Sequence, residues 1–494
     1  MSFQADANLI LEALNDFYER SVAGEGPVIR QPPMSELIAS LQLAELVREG
    51  GLTGEKLTWF MDEYLSGLTR FYHPANIAHQ QAVPHYMAAL AGLVDHFVSS
   101  DGSIYEFGPA SVSLEYFLIN WLLEKVGWVP APLDPQLGAT EGHGGGILTH
   151  GGSLANLTAL IAARSKIAPD VWAQGNPGNL ALLAPAEAHY SISRAAGIMG
   201  IGSRSIYPLE TDAWGVIKPD RLPAAHTRVE ADGKQVIALI ADACNTAAGL
   251  YDPLQEIGAF CRERGLWFHV DGAHGAPALL TEKYRHLMRG VELADSLTMN
   301  MHKLMRVTAL CTALLVREAR TLDQAFTQEA SYLFFAKEQP GFDFIHRTIE
   351  CTKPVQGLKF FMVLAAMGEA GMAAYIERQF DLAVEAYHFL CSLPDFECPV
   401  EPQSNILCFR VKGIGDGHLA LRDKLLARGN YYVSTTSLNG QRCLRLTLTN
   451  PATTLEVIKG LVHEIRETVA GGRVGTRPGA AGVPGPMEDK EERP

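Results

Sequence analysis

The sequence predicts an α/β fold, a mainly parallel sheet covered by helices in one large domain, with a helical segment before it and a small α+β domain after it. Two observations carry this. Near-continuous apolar runs at 146–149, 181–184, 236–240, 266–270 and 309–316 alternate with stretches of helical periodicity, the pattern of strands buried on both faces. Polar and charged groups then gather just after several of those runs, at the strand ends where open α/β sheets hold their ligands. At 494 residues the chain exceeds the usual span of one core. The expected division is a helical segment over 1–110, the large domain over 111–355, the small domain over 356–470 and a tail over 471–494.

In chain order, Ile10, Leu14 and Phe17 recur at helical spacing and give an N-terminal helix with one apolar stripe, which needs a surface to lie on. Gln31-Pro32-Pro33 interrupts, and helical pattern then dominates up to Trp128. The run at 146–149 leads into Gly151-Gly152-Ser153 and a helix whose Leu154, Leu157 and Ile161 share a face. The run at 181–184 leads to His189, and that at 236–240 to Asn245 and Thr246. Asp252 then caps a helix with Pro253 at its first position, Leu254, Ile257 and Cys261 on its buried face, and Gly265 at its end. The next strand delivers Asp271. A short apolar strand within 295–303 ends in His302 and Lys303. Beyond Pro354 a long helix runs through Leu364 with more helix to about Leu390, followed by α+β pattern from Asn405 to about Val469. The tail, rich in glycine, proline and charge, is expected to be disordered.

Composition excludes several classes. Hydrophobic residues form 47% and charged residues 19% of the chain, the balance of an ordinary globular enzyme. A net charge of -14 disfavours a general nucleic-acid or anionic-membrane binder, and no uninterrupted apolar run approaches bilayer-spanning length. The eight cysteines form no Cys-x-x-Cys pair, which suits free thiols in a reducing compartment and no metal site. The N-terminus does not read as a signal peptide, so the expected location is cytoplasmic.

The chemistry centres on Lys303. Its neighbours Met299, Met301, Leu304 and Met305 disfavour the charged ammonium and leave a nucleophilic amine able to hold an aldehyde as a Schiff base; a lysine that snorkels its charge to water is the alternative. Gly151-Gly152-Ser153, at a helix start, offers backbone N–H groups and a hydroxyl to a monophosphate, or else a plain turn with Ser153 as the N-cap. Asp271 ends an apolar strand, where a carboxylate needs a cation or strong donors; a protonated pyridine nitrogen is one such partner and a structural ion pair another. His189 is placed to stack on an aromatic ring, or to serve as a cap or surface residue. Asn245 and Thr246 offer small polar contacts or turn chemistry.

Taken together, these residues sit within a set of motifs: His73-Pro74, Tyr105-Glu106-x-Gly108-Pro109, Gly151-Gly152-Ser153-x-Ala155-Asn156, Ala188-His189-Tyr190-Ser191, His269-Val270-Asp271-Gly272-Ala273, Asp295-Ser296-x-Thr298-x-Asn300-x-His302-Lys303 and Leu444-Arg445-x-x-x-x-Asn450-Pro451. From about His73 to Pro451 the chain resembles the group II pyridoxal-phosphate-dependent amino-acid decarboxylases, the family of the glutamate, cysteine sulfinate, diaminobutyrate and aromatic amino-acid enzymes. The resemblance implies an aspartate aminotransferase-type (fold type I) architecture with a seven-stranded-type sheet. It also implies a homodimer with the active site at the subunit interface and N-terminal helices packed across the partner. The cofactor implied is pyridoxal 5'-phosphate, held by Gly152, Ser153, His189, Thr246, Asp271, Ala273, Asn300, His302 and Lys303. The activity implied is loss of carbon dioxide from an amino acid to leave an amine, with His189, Asp271, His302 and Lys303 as catalytic groups. Arg445, His79 and Gln80 are implied at the substrate, with a surface or dimer-interface ion pair as the alternative for Arg445, and those polar groups favour an acidic or polar amino acid.

Two departures stand out. Many family members carry a proton-donating tyrosine in the loop before the motif that here reads Ile349-Glu350-Cys351-Thr352-Lys353. From Pro340 to Cys351 this chain has none, offering Phe342, Phe344 and His346, of which His346 is the candidate acid. Relatives with phenylalanine at the tyrosine position resemble aldehyde synthases, which decarboxylate and then deaminate with dioxygen, so that outcome stays open beside simple decarboxylation. A non-catalytic cofactor-binding homologue is the remaining alternative. The second departure is Met301, where the family usually has proline.

Overall fold

A computed structural model describes residues 2–133, 142–326 and 341–471. The helical N-terminal part comprises α1 (Phe3–Val22), α2 (Met34–Ser40), α3 (Leu43–Glu49), α4 (Gly54–Ser66), α5 (Tyr86–Val98) and α6 (Pro109–Val126). Pro109 opens α6 and Gly127, in the left-handed region, closes it, the expected asymmetry of helix ends. Its Leu118, Ile119, Leu122 and Leu123 are buried in the main core. Helix α1 packs on α4, with Ile10 and Phe17 of its apolar stripe half-buried, whereas Leu14 of that stripe stays exposed, as do Leu11 and Tyr18.

The large domain is built on seven strands, β1 (Gly145–Thr149), β2 (Leu180–Pro185), β3 (Ile206–Leu209), β4 (Gln235–Asp242), β5 (Phe268–Asp271), β6 (Ser296–Asn300) and β7 (Thr312–Val316), in the order β1-β7-β6-β5-β4-β2-β3. Only β7 runs against the others, so the sheet is mainly parallel, as expected. A Cβ on Gly146 would come within 2.3 Å of the Leu314 carbonyl, so glycine there lets β1 lie against β7. The intervening helices are α7 (Gly152–Ile167), α8 (Val171–Gln174), α9 (Ser191–Ile198), α10 (Leu222–Ala231), α11 (Leu254–Arg264), α12 (Met301–Leu304) and α13 (Arg320–Ala325). They divide the apolar residues into one cluster on each face of the sheet.

Three local expectations change. Strand β3 was not anticipated: it has four residues with Pro208 among them, and proline is tolerated because β3 is the sheet edge. Asp252 does not cap α11, whose cap position is Pro253; instead its carboxylate accepts the N–H groups of Ile217 and Asp242, at 2.8 and 2.7 Å. Ser153 lies inside the first turn of α7, and Gly151 holds the cap position.

The long helix α14 (Gly357–Cys391) joins the two domains. By length and mean composition it could cross a bilayer, although Lys359, Glu369 and Glu377 leave no uninterrupted apolar run of that length in it. In the fold it is broken by non-helical Gly368. Phe360, Val363 and Leu364 enter the large-domain core, while Leu382, Ala386 and Leu390 enter the small-domain core. That second core packs a four-stranded sheet, ordered β10-β11-β9-β8, against two helices. The strands are β8 (Phe396–Glu397), β9 (Ile406–Val411), β10 (Ser434–Leu438) and β11 (Gln441–Thr447), and the helices α15 (His418–Arg428) and α16 (Leu455–Ala470). The N-terminal part is laced to it: Asn450 Nδ2 donates to His73 O at 2.8 Å and Thr453 Oγ1 to Pro74 O at 2.6 Å. The tail expected to be disordered, apart from Gly471, lies outside the described residues, as does Pro340.

Candidate active site

A cavity of about 270 Å³ opens at the carboxyl ends of the central strands. Ser153 and Gly152 reach it from the start of α7, His189 from the turn after β2, and Thr246 from the turn after β4. Asp271 and Ala273 come from the end of β5, and Asn300, His302 and Lys303 from the junction of β6 and α12. The geometry thus brings the whole expected cofactor set together, with Gln80 on the same wall.

Lys303 keeps some accessible surface where it meets the cavity. Burial lowers its pKa, opposed by the negative charge of Asp271 and reinforced by Arg445, so the neutral amine is favoured relative to a solvated lysine. Burial likewise lowers His189, and it takes His302 down to about 4. Both imidazoles are therefore neutral near pH 7.

Asp271 is held by a chain of donors. Asn156 Nδ2 donates to Asp271 Oδ2 at 2.7 Å and to Ser191 Oγ at 2.9 Å, and the Ala273 N–H reaches Asp271 Oδ1 at 3.1 Å. With the amide orientation fixed in this way, Asn156 Oδ1 accepts from His269 Nε2 at 3.1 Å, which makes His269 the Nε2–H tautomer. Its Nδ1 then accepts from Ser296 Oγ at 2.8 Å, and Ser296 Oγ accepts from Trp267 Nε1, also at 2.8 Å. Ser191 Oγ lies 2.8 Å from His189 Nδ1, so the same amide ties the carboxylate to the ring-facing histidine. Burial depresses His269 to about 4, keeping this relay uncharged around one carboxylate.

Arg445, on β11, is buried and is not among the lining residues, and its Nε and Nη2 have no hydrogen-bond partner among the described residues. It lies close enough to Lys303 and Cys244 to perturb both. His79 packs edge-on against Tyr432, with ring centroids 5.3 Å apart, and burial followed by Arg445 lowers its pKa; it is Gln80, and not His79, that lines the cavity. His346 sits in the turn Phe344–Arg347 and is not among the described lining residues, so the structure does not bring it to its own chain's cavity.

Asp242, Cys244 and His274 also line the cavity, and sequence reasoning passed over all three as site residues. The signal that flagged Asp271, a carboxylate ending an apolar run, applies equally to Asp242. His274 is more specific still. Asn405 Nδ2 donates to Leu448 O at 2.9 Å, so Asn405 Oδ1 accepts from His274 Nε2 at 2.7 Å, leaving Nδ1 a buried acceptor without a partner among the described residues. Only the folded contact with Asn405 reveals this.

These groups fit a pyridine aldehyde carrying a phosphate. Asp271, oriented by two donors, matches a protonated ring nitrogen. His189 and Ala273 would flank the ring, Lys303 would meet the aldehyde, and the N–H groups opening α7 suit a phosphate. A Cβ on Gly152 would meet Asn300 Oδ1 at 3.3 Å, so glycine keeps that turn open. Comparison with known proteins agrees. The pyridoxal-dependent decarboxylase conserved domain matches residues 62–412. The mouse acidic amino acid decarboxylase GADL1 is 29% identical over 374 residues, covering 74% of this chain and 66%, about two thirds, of its own length. A structure of mouse CSAD in apo form superposes with a TM-score of 0.84 at 24% identity, covering 94% of this chain and 98% of that one. Rhodiola rosea 4-hydroxyphenylacetaldehyde synthase does so with a TM-score of 0.79 at 22% identity, covering 95% and 99%.

Proposed function

Because the chain belongs to the pyridoxal-dependent decarboxylase family, we propose that it removes the carboxyl group of an L-amino acid as carbon dioxide and releases the amine, with an acidic or polar amino acid as favoured substrate. The observation that carries this reading is the convergence of Lys303, Asp271, His189 and the Gly152-Ser153 turn on one cavity. When bound there, pyridoxal phosphate supplies an electron sink for the pair of electrons left as carbon dioxide departs.

The protein's own contributions follow from the geometry. Asp271, with Asn156 and Ala273 donating to it, would hold a proton on the ring nitrogen. Lys303, whose burial favours the free amine, is the group to which the aldehyde would bind. The neutral His189 would press on the ring face without repelling it. Arg445 accords with the substrate preference: a buried guanidinium with two donor atoms unpaired among the described residues suits an anion, which any amino acid offers in its α-carboxylate and an acidic one offers a second time in its side chain. The name of the GADL1 relative accords with this.

A second reading is decarboxylation with oxidative deamination to an aldehyde. It is favoured by the absence of tyrosine from residues 341–351, where Phe342 and Phe344 pack on each other 4.8 Å apart. We further propose a homodimer, supported by exposed apolar side chains on α1 and α5, and a reducing cytoplasmic setting, supported by eight free cysteines.

Screening the common amino acids for carbon dioxide release by wild type and Lys303→Ala tests the function. Amine formation lost in the variant is the expected result. Oxygen uptake with ammonia and peroxide selects the aldehyde synthase, and a yellow, cofactor-loaded protein that releases no carbon dioxide from any amino acid selects a non-catalytic homologue. Full activity in Lys303→Ala would sink both enzymatic readings.

A further inference from the structure

Asp242 is the last residue of β4 and pairs in register with Asp271, the last residue of β5. In-register neighbours on adjacent strands point to the same face, and both residues line the cavity. The two differ in what surrounds them. Asp271 accepts from Asn156 and Ala273, whereas the Asp242 side chain, 5% exposed, has no donor among the described residues. Beneath it lies Asp252, whose two oxygens are engaged by backbone N–H groups of Ile217 and Asp242. The other titratable groups around the pair include His269 on β5 and His274 just after it, His189 after β2, Cys244 just after β4, and His302 and Lys303 after β6. Burial lowers all four histidines, which are neutral near pH 7, and Cys244 is a buried thiol, while the charges acting on Asp242 are those of Asp252 and Asp271 and not that of Lys303. A carboxyl so placed, without cation or donor and beside two other carboxyl groups, is stable only with its proton.

We propose that Asp242 is a second carboxyl group of the cofactor site, held as the neutral acid beside the Asp271 carboxylate, so that the ring-nitrogen end of the cavity carries one negative charge and one exchangeable proton. Asp242 is thus a positioning residue. It leaves Asp271 as the single counter-charge for a singly positive ring and offers its own O–H as a donor within the cavity. The electrostatics agree: burial raises the Asp242 pKa well above that of a free aspartic acid, with Asp252 and then Asp271 adding to the shift. Burial also raises Asp252, to about 7, but its two backbone donors oppose this; the proton therefore belongs first to Asp242. The proposal rests on the cofactor reading only for its consequence, because the protonation itself is a property of the free chain.

The test uses the full chain with and without pyridoxal phosphate. Infrared difference spectra at pH 8, where Asp252, raised to about 7, is mostly ionised, should show for wild type against Asp242→Asn a protonated-carboxyl band that the variant lacks in both forms. Raising the pH should remove that band in step with a change in the cofactor's visible absorption, and Asp242→Asn should lack the step. Isotopic labelling of aspartate identifies the band in wild type even where the variant does not fold, and Asp252→Asn should retain it. No aspartic-acid band in labelled wild type, or a band that follows Asp252 instead, overturns the proposal. Wild type that shows the band but binds no pyridoxal phosphate would strike the cofactor reading and leave the protonation intact.

Discussion

Asn156 touches Asp271, Ser191 and His269 at once, so its amide fixes one carboxylate and, through Ser191, one imidazole. Asn156→Asp removes the N–H donors and sets a like charge 2.7 Å from Asp271. Cofactor affinity, titrated on the apoprotein by absorbance, should fall at least about tenfold, or roughly 1.4 kcal/mol, whereas an unchanged affinity would mean that Asp271 needs no orientation. His302 supplies a pH signature. Burial holds it at about 4 against an ordinary 6.5, so between those values the unfolded chain binds more protons than the native one. Its contribution to stability is therefore complete above pH 6.5 and is lost as the pH falls through that window. In apoprotein denaturant titrations, the stability difference between wild type and His302→Gln should shrink by roughly 1–2 kcal/mol from pH 6.5 to 5. Asp242 and Asp252, whose raised pKa values act in the opposite sense, are common to both chains and cancel; parallel pH profiles would refute the assignment.

At the scale of elements, the segment from Gly341 to Val355 behaves as a strap. Tyr105 N–H donates to Asp343 Oδ1 at 2.8 Å, Ile345 N–H to Ser103 O at 3.0 Å and Gly102 N–H to Lys353 O at 2.8 Å. Its anchor is the Lys353 ammonium, wholly buried on Glu115 of α6, whose other oxygen accepts the Leu148 N–H of β1 at 2.8 Å. Lys353→Met strands a carboxylate in the core and should cost about 3–5 kcal/mol in urea denaturation. Adding Glu115→Gln, which keeps an acceptor for Leu148 without the charge, should recover more than half; a double variant no more stable than the single one would show that the charge is not the cost. No sequence pattern announced this pair, because Glu115 and Lys353 are 238 residues apart. The strand ends were legible because buried parallel strands write themselves as apolar runs, and Asp271 and Lys303 stand out as charges closing such runs. What stayed hidden was whatever depends on a distant partner: the Asn405 contact that leaves His274 an acceptor, Asp252 serving β4 in place of capping α11, and the short proline-bearing edge strand β3. His73-Pro74 and Asn450-Pro451, read as separate motifs, are the two halves of one hydrogen-bonded contact.

The whole molecule leaves an apolar face uncovered. Phe3 on α1 and Phe97 on α5 are 62% and 65% exposed, yet their ring centroids lie 4.8 Å apart, and Leu93, Val94 and Val98 extend the exposed face along α5. A contiguous patch of this kind on a single chain marks an interaction surface. A second copy related by a two-fold axis would bury it against itself, as a self-complementary interface requires. The N-terminal helices are also tied to the small domain through His73, Pro74 and Asn450, so they are held firmly enough to serve as an interface. Light scattering should give twice the 53.7 kDa chain mass for wild type. Val94→Asp/Phe97→Asp should move it toward the single-chain value, because two carboxylates desolvated at an interface cost several kcal/mol. If the partner completes the site, carbon dioxide release should fall more than about tenfold at matched folded protein, with far-ultraviolet circular dichroism unchanged. A wild type that runs as a monomer at micromolar concentration would remove the dimer. A dissociated variant with full turnover would keep the dimer but confine the active site to one chain.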